Sequence, residues 1–259
     1  MVPNTDYGIG RRTAQMTGTQ TLTYTVTGTS FDVWYVGGPS TGTIGVQIDG
    51  GSVTSVNTVL GSVLDGNLWN SGALTAGSHT IVISVVSGTT YFGGISVYNG
   101  DESKGIRLYE AGHFGWTTGN WLTNSNWWPR SVNTIQPHLV TIALATNDIN
   151  AGVTPATVFA NINSLITSIR SQITVPPAIV LVAYPARTDI TPTYPWQAYV
   201  DQMHKQASLD SLVSVLDLSV RMSNPSNTAI ATWNADKVHP VDKGHALMAD
   251  MFTGFISPK

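Results

Sequence analysis

The chain has 259 residues, 42% of them hydrophobic and 10% charged, with a formal net charge of -3. So weak a charge argues against a nucleic-acid surface or a polybasic membrane patch. The absence of cysteine excludes disulfides, thiolate metal sites and a cysteine nucleophile.

Residues 1–6 have neither a basic stretch nor an apolar stretch behind it, so no secretory leader is visible. No apolar run approaches the roughly 18 residues of a membrane helix, which predicts a soluble chain without membrane insertion. Few charges with abundant Thr, Ser and Gly is a composition of secreted or virion-surface β-proteins, and predicts an extracellular or virion-associated location.

Residues 1–100 read as one all-β domain. Leu22, Tyr24 and Val26 alternate with threonines over 19–27. Phe31, Val33 and Tyr35 alternate with Asp32 and Trp34, and similar runs follow at 44–48, 53–59, 79–86 and 91–98. Period-two runs of β-branched and aromatic residues are half-buried strands. Gly37-Gly38-Pro39, Asp49-Gly50-Gly51 and Ala76-Gly77-Ser78-His79 are turns between them. Residues 1–11 predict no strand, because Pro3, Gly8 and Gly10 interrupt them. The pattern predicts an antiparallel sandwich, a jelly roll. Its role is a structural spacer, or a carbohydrate-binding module using Trp34, Tyr35 or Trp69.

Residues 101–259 read as a second, α/β domain. Strands are expected at 106–109, 139–144, 178–184 and 213–218, with helices at 196–207 and 242–255 between and after them. The 242–255 helix should bury Ala246, Leu247, Met251 and Phe255. Thr154 as N-cap and Pro155 behind it open another helix, whose Val158, Phe159, Ile162, Leu165, Ile166 and Ile169 recur at three and four. Continuously apolar strands alternating with helices predict a parallel sheet covered on both faces. Ligands of such sheets bind beyond the carboxyl ends of the strands. Two polar strings fall there. Ala145-Thr146-Asn147-Asp148 follows one strand, and Asp236-Lys237-Val238-His239-Pro240 precedes the last helix.

With Gly112-His113-Phe114-Gly115-Trp116-Thr117, these strings resemble three motif blocks of the SGNH hydrolases, a family of serine esterases and lipases. The resemblance covers about residues 104–259. It implies His239 as general base, Asp236 as its orienter, and an oxyanion hole from the Gly115 backbone N–H and the Asn147 carboxamide. Ala145 stands where the family usually has Gly. The chain also resembles phage and actinobacterial members with a β-sandwich inserted inside the hydrolase domain. The family fold is flavodoxin-like α/β/α, and its substrates are esters, here of a glycan or glycolipid.

The family's nucleophile block, Gly-Asp-Ser, does not occur. The nearest string is Gly100-Asp101-Glu102-Ser103. Only two residues separate Ser103 from the strand expected at Ile106, whereas a crossover between parallel strands needs about a dozen. The expectation is therefore an α/β domain lacking its first strand, with strand and serine supplied by an upstream segment or a second chain. Two other readings stay open: a non-catalytic phage tail or capsid appendage, and a metal hydrolase built on Asp236, His239 and His245. The last is disfavoured because no compact ligand set at zinc spacing is present, so no metal or other cofactor is expected. His138, at the start of a strand, and His245 read as structural, while His113 lies inside the glycine turn.

Overall fold

The computed structural model describes residues 2–4 (backbone only), 8–9, 12–102, 104–123, 128–222 and 236–257. The strands β1 (Val2–Asn4), β2 (Thr13–Thr17), β3 (Thr21–Gly28), β4 (Ser30–Gly37), β5 (Thr43–Ile48), β6 (Thr54–Asn57), β7 (Leu64–Asn70), β8 (Gly77–Ser87) and β9 (Thr89–Tyr98) come first. They are followed by α1 (Thr118–Thr123), α2 (Trp128–Ile135), β10 (Leu139–Ile142), α3 (Thr146–Asn150), α4 (Pro155–Arg170), β11 (Ala178–Ala183), α5 (Trp196–Leu209), β12 (Val213–Asp217) and α6 (Asp242–Ile256). By internal contacts the chain divides into two units, Met1–His113 with Ser125–Ile135, and Phe114–Asn124 with Gln136–Lys259.

In the first unit two antiparallel sheets, ordered β1-β2-β9-β4-β7 and β3-β8-β5-β6, share one core. Met16, Phe31, Val33 and Phe92 come from one sheet, and Ile44, Val46, Val56, Ile81 and Ile83 from the other. Alternation puts them there: in β8, His79, Ile81 and Ile83 are buried while Thr80 is exposed. Burying a side chain of this size contributes about 1.5–3 kcal/mol. Three strands escape the alternation rule. β1 forms despite Pro3 because it is an edge strand, which tolerates a missing N–H. β2 is short. β7 is interrupted by Gly66, whose φ of +66° favours glycine and where a Cβ would lie only 3.0 Å from the Arg130 carbonyl. That close approach seats α2 on β7, where Ser131 Oγ donates to Asp65 Oδ2 at 2.8 Å.

The β5–β6 turn carries an ion pair. Asp49 (φ +51°) and Gly50 (φ +70°) are both left-handed, the geometry of a tight hairpin turn. Asp49 Oδ2 lies 2.7 Å from His79 Nδ1, and the Thr75 carbonyl 2.8 Å from His79 Nε2. Two acceptors require both ring nitrogens to carry protons. The Asp49 hydrogen bond, then the Thr75 carbonyl, accordingly raise the imidazole above its ordinary 6.5, and the same bond lowers Asp49 below 3.8. The His79 contribution is complete below pH 6.5 and is lost as pH rises through its raised value. The Asp49 contribution is lost as pH falls below 3.8. Thermal melting should therefore show the contribution of this pair largest between about pH 4 and 6.5 and declining on the alkaline side. His79→Ala should flatten that alkaline slope; an unchanged slope in the variant counts against the pair.

The strand expected at 106–109 is not one. Ile106 and Leu108 are each 90% exposed. Arg107 lies 3.9 Å above the Tyr98 ring and Tyr109 meets Trp34 edge-on at 6.0 Å. The alternation is present, but among the described residues no strand edge pairs with it.

The second unit holds the parallel sheet β10-β11-β12, three strands among the described residues rather than the four expected. β11 is buried from Ile179 to Ala183 because helices cover both of its faces. Val180 and Val182 join Leu216, Leu218, Met222 and Met251 on one face. Their alternates Ile179 and Leu181 belong to the opposite face. Thr154 Oγ1 caps α4 by accepting from the Thr157 N–H at 3.1 Å. The buried stripe of α6 differs from the expected one. It is Gly244, Leu247, Met248, Met251 and Phe252, while Ala246 is exposed and Phe255 is 40% exposed. This set follows the i, i+3, i+4, i+7, i+8 rule more closely. Helices α1, α2 and α3 are too short to show periodicity in the sequence.

Candidate active site

The loop before α6 folds around a carboxylate. Asp236 Oδ1 accepts the N–H groups of Val238 and His239 at 3.0 and 3.1 Å, with Lys237 left-handed at φ +58°. This local turn is what Asp two residues ahead of a free N–H favours. It brings Asp236 Oδ2 to 2.7 Å from His239 Nδ1. The imidazole is 66% exposed. The His239 hydrogen bond, then the two backbone N–H groups, hold the Asp236 carboxyl down at about 2. With Nδ1–H committed to the carboxylate, Nε2 keeps its lone pair, which is the tautomer a general base needs.

The second cluster forms beyond β10. Asn147 lies on α3 and is half-buried, and its Nδ2 donates to the Trp116 carbonyl at 3.0 Å. The amide has a second hydrogen, so this bond orients the group without exhausting it. Gly115, next to Trp116, has φ +74°, a conformation that requires glycine more than space does. Ala145 is left-handed at φ +84°, which explains a preference for Gly at this turn.

Asp148 anchors the cluster from beneath. It is fully buried and accepts the Thr118 N–H at 3.1 and 3.0 Å and the Thr118 hydroxyl at 2.6 Å. Asn161 on α4 donates to the same hydroxyl at 2.9 Å. Asp148→Ala should lower stability by about 2–3 kcal/mol, the range for hydrogen bonds to a buried charge. Urea unfolding reads this directly; a loss under about 0.5 kcal/mol contradicts the anchoring role.

The structure joins Asp236 with His239, and Asn147 with the Gly115–Trp116 turn. No local pattern of residues marks what touches both. It is the loop after β11. Arg187 Nη1 donates to the Thr146 carbonyl at 3.3 Å, and the Thr188 N–H reaches the Lys237 carbonyl at 3.5 Å. Ser103 lies outside the described residues. His138 and His245 are exposed, and His113 is half-buried in the first unit. Among the described residues no group of three His, Cys, Asp or Glu side chains is placed to hold a metal, and no helix is long and apolar enough to cross a membrane. Of the aromatics in the first unit, Trp69 packs on the core 6.0 Å from Phe31, and Tyr35 packs there too. Trp34 instead lines a cleft of about 430 Å³ with Tyr109, Arg12 and Glu110.

The GDSL-like Lipase/Acylhydrolase family model matches residues 92–247, more than half of the chain, and the chain belongs to that family. Among solved structures, one described as a peptidoglycan O-acetylesterase in action has a TM-score of 0.66 at 16% identity, covering 97% of this chain and 71% of that one. A carbohydrate esterase family 2 enzyme plus carbohydrate-binding domain from Corynascus thermopiles (Myceliophthora fergusii) has a TM-score of 0.48 at 14% identity, covering 94% and 95%. A lipase/acylhydrolase from Enterococcus faecalis has a TM-score of 0.47 at 22% identity, covering 60% and 80%. At 16% identity the first likeness is one of fold alone. No curated protein matches the chain.

Proposed function

We propose that this chain carries the acid–base and oxyanion groups of an acyl or acetyl esterase acting on polysaccharide or cell-envelope esters. The observation that supports this most is the His239–Asp236 pair at 2.7 Å, with an exposed imidazole beyond a parallel sheet. A serine Oγ attacks the ester carbonyl while His239 Nε2 takes its proton. The Gly115 N–H and the Asn147 carboxamide hold the oxyanion. Collapse expels the alcohol, which takes the proton back from His239, and water repeats the cycle on the acyl-enzyme. The fold likeness to the peptidoglycan O-acetylesterase supports a glycan ester as the substrate. The two-sheet unit is a jelly roll that serves as spacer or as glycan contact through Trp34. The setting is extracellular or virion-associated.

The serine belongs to an upstream segment or second chain that adds a strand beside β10. Among the described residues β10 pairs only with β11, and Leu139 on it is 39% exposed. An open edge of this kind presents unpaired N–H and C=O groups. The test is to join the chain to a Gly-Asp-Ser-bearing strand from its upstream gene region and measure acetate release from O-acetylated peptidoglycan. Release supports the esterase. Glycan binding without release supports the non-catalytic appendage, which the missing Gly-Asp-Ser string favours.

A further inference from the structure

The acid–base loop and the oxyanion loop come from segments about 90 residues apart in sequence, and hydrolysis needs them in fixed register. Each alone is held by local bonds. The Asp236–His239 turn closes on itself, and Asn147 is oriented by Trp116. Neither set of bonds fixes one loop against the other.

The geometry points to Arg187 as the positioning residue that sets the Asn147 loop against the His239 loop. Its side chain is only 11% exposed, and its guanidinium makes a two-pronged contact with Asp189, Nε to Oδ1 at 2.8 Å and Nη2 to Oδ2 at 2.5 Å. A fork held this way is rigid, so its remaining Nη1 is aimed at the Thr146 carbonyl, one residue before Asn147. The next residue, Thr188, donates its backbone N–H to Lys237, between Asp236 and His239. Arg187 and Thr188 are adjacent in the chain, so one short strut touches both loops. The arginine also balances the Asp189 carboxylate, which otherwise faces Asp236 with like charge. An arginine is needed because a lysine is a single point charge and cannot grip both Asp189 oxygens in plane while bonding a carbonyl.

This inference rests on the esterase reading for its purpose, and its test is built to fail separately. Nitrogen-15 NMR on the intact chain follows the Asn147 side-chain amide and the His239 ring nitrogens. Arg187→Ala should move both sets of signals, and added guanidinium ion should return both toward wild type. Arg187→Lys, the milder change should the alanine variant not fold, should move both without guanidinium rescue. If only one set moves, or neither, the strut role is wrong, whatever the activity assay shows. With the serine-bearing strand in place, Arg187→Ala should lower kcat by about 10- to 100-fold at little-changed KM, as expected for misplaced catalytic groups. A change confined to KM would overturn the inference. Absence of turnover in the wild-type assembly would sink the esterase reading and leave the NMR result standing.

Discussion

Replacing His239 with alanine should cut kcat/KM for acetyl-ester hydrolysis by about 10⁴-fold or more in the assembly that carries the serine. Without the imidazole nothing removes the proton from the attacking hydroxyl, and nothing returns it to the leaving alcohol. The fold should be unaffected, since His239 is 66% exposed and its side chain is hydrogen-bonded to its near neighbour Asp236. Asp236→Asn should cost less than His239→Ala, because the serine still has an imidazole beside it, though one free to take the wrong tautomer. The Asp236 carboxyl sits at about 2 and stays ionised at every pH above that. An acid limb in the rate profile therefore belongs to another group. Turnover of a nitrophenyl acetate by His239→Ala at the wild-type rate would end the acid–base assignment.

Asn147→Ala should lower kcat by about 10²–10³-fold with KM nearly unchanged, the usual loss for one oxyanion donor. The donor acts where charge develops, so its removal affects the transition state more than the bound ester. Asn147→Asp should be at least as damaging, since it puts a negative charge where another forms. A merely structural role predicts a different result. The bond from Asn147 to the Trp116 carbonyl is a single neutral hydrogen bond, worth about 1 kcal/mol. If urea unfolding shows that loss while kcat stays within about threefold of wild type, Asn147 orients the turn and does not hold the oxyanion.

The three strings that carry the family resemblance were readable because each is local. Asp236 and His239 are three apart, and the turn between them needs only Asp236, two N–H groups and one left-handed residue. The two-sheet core was readable for the same reason. Along β8, period two decides which side chains face inward, whatever the neighbouring strand. Misreadings came where a partner decides. Residues 106–109 alternate like a strand but pair with no strand among the described residues, while β1 breaks the strand rules and pairs at an edge. On α6, Leu247 and Met251 face the core as expected, while Gly244, Met248 and Phe252 stand in for Ala246 and Phe255, because only the core that the helix meets selects among its apolar positions.

What the chain's order of residues determined by itself is the chemistry on offer: an imidazole beside a carboxylate, a carboxamide after a strand, glycine where φ is positive, and no Gly-Asp-Ser. Short-range sterics and hydrogen bonds suffice for that. Only the tertiary structure decided that Arg187 and Thr188 span the two loops and that Asp148 is buried beneath α1. It also decided that, among the described residues, the parallel sheet has three strands and β10 pairs only with β11. Each of these depends on segments distant in sequence meeting in space, and no local propensity encodes such a meeting.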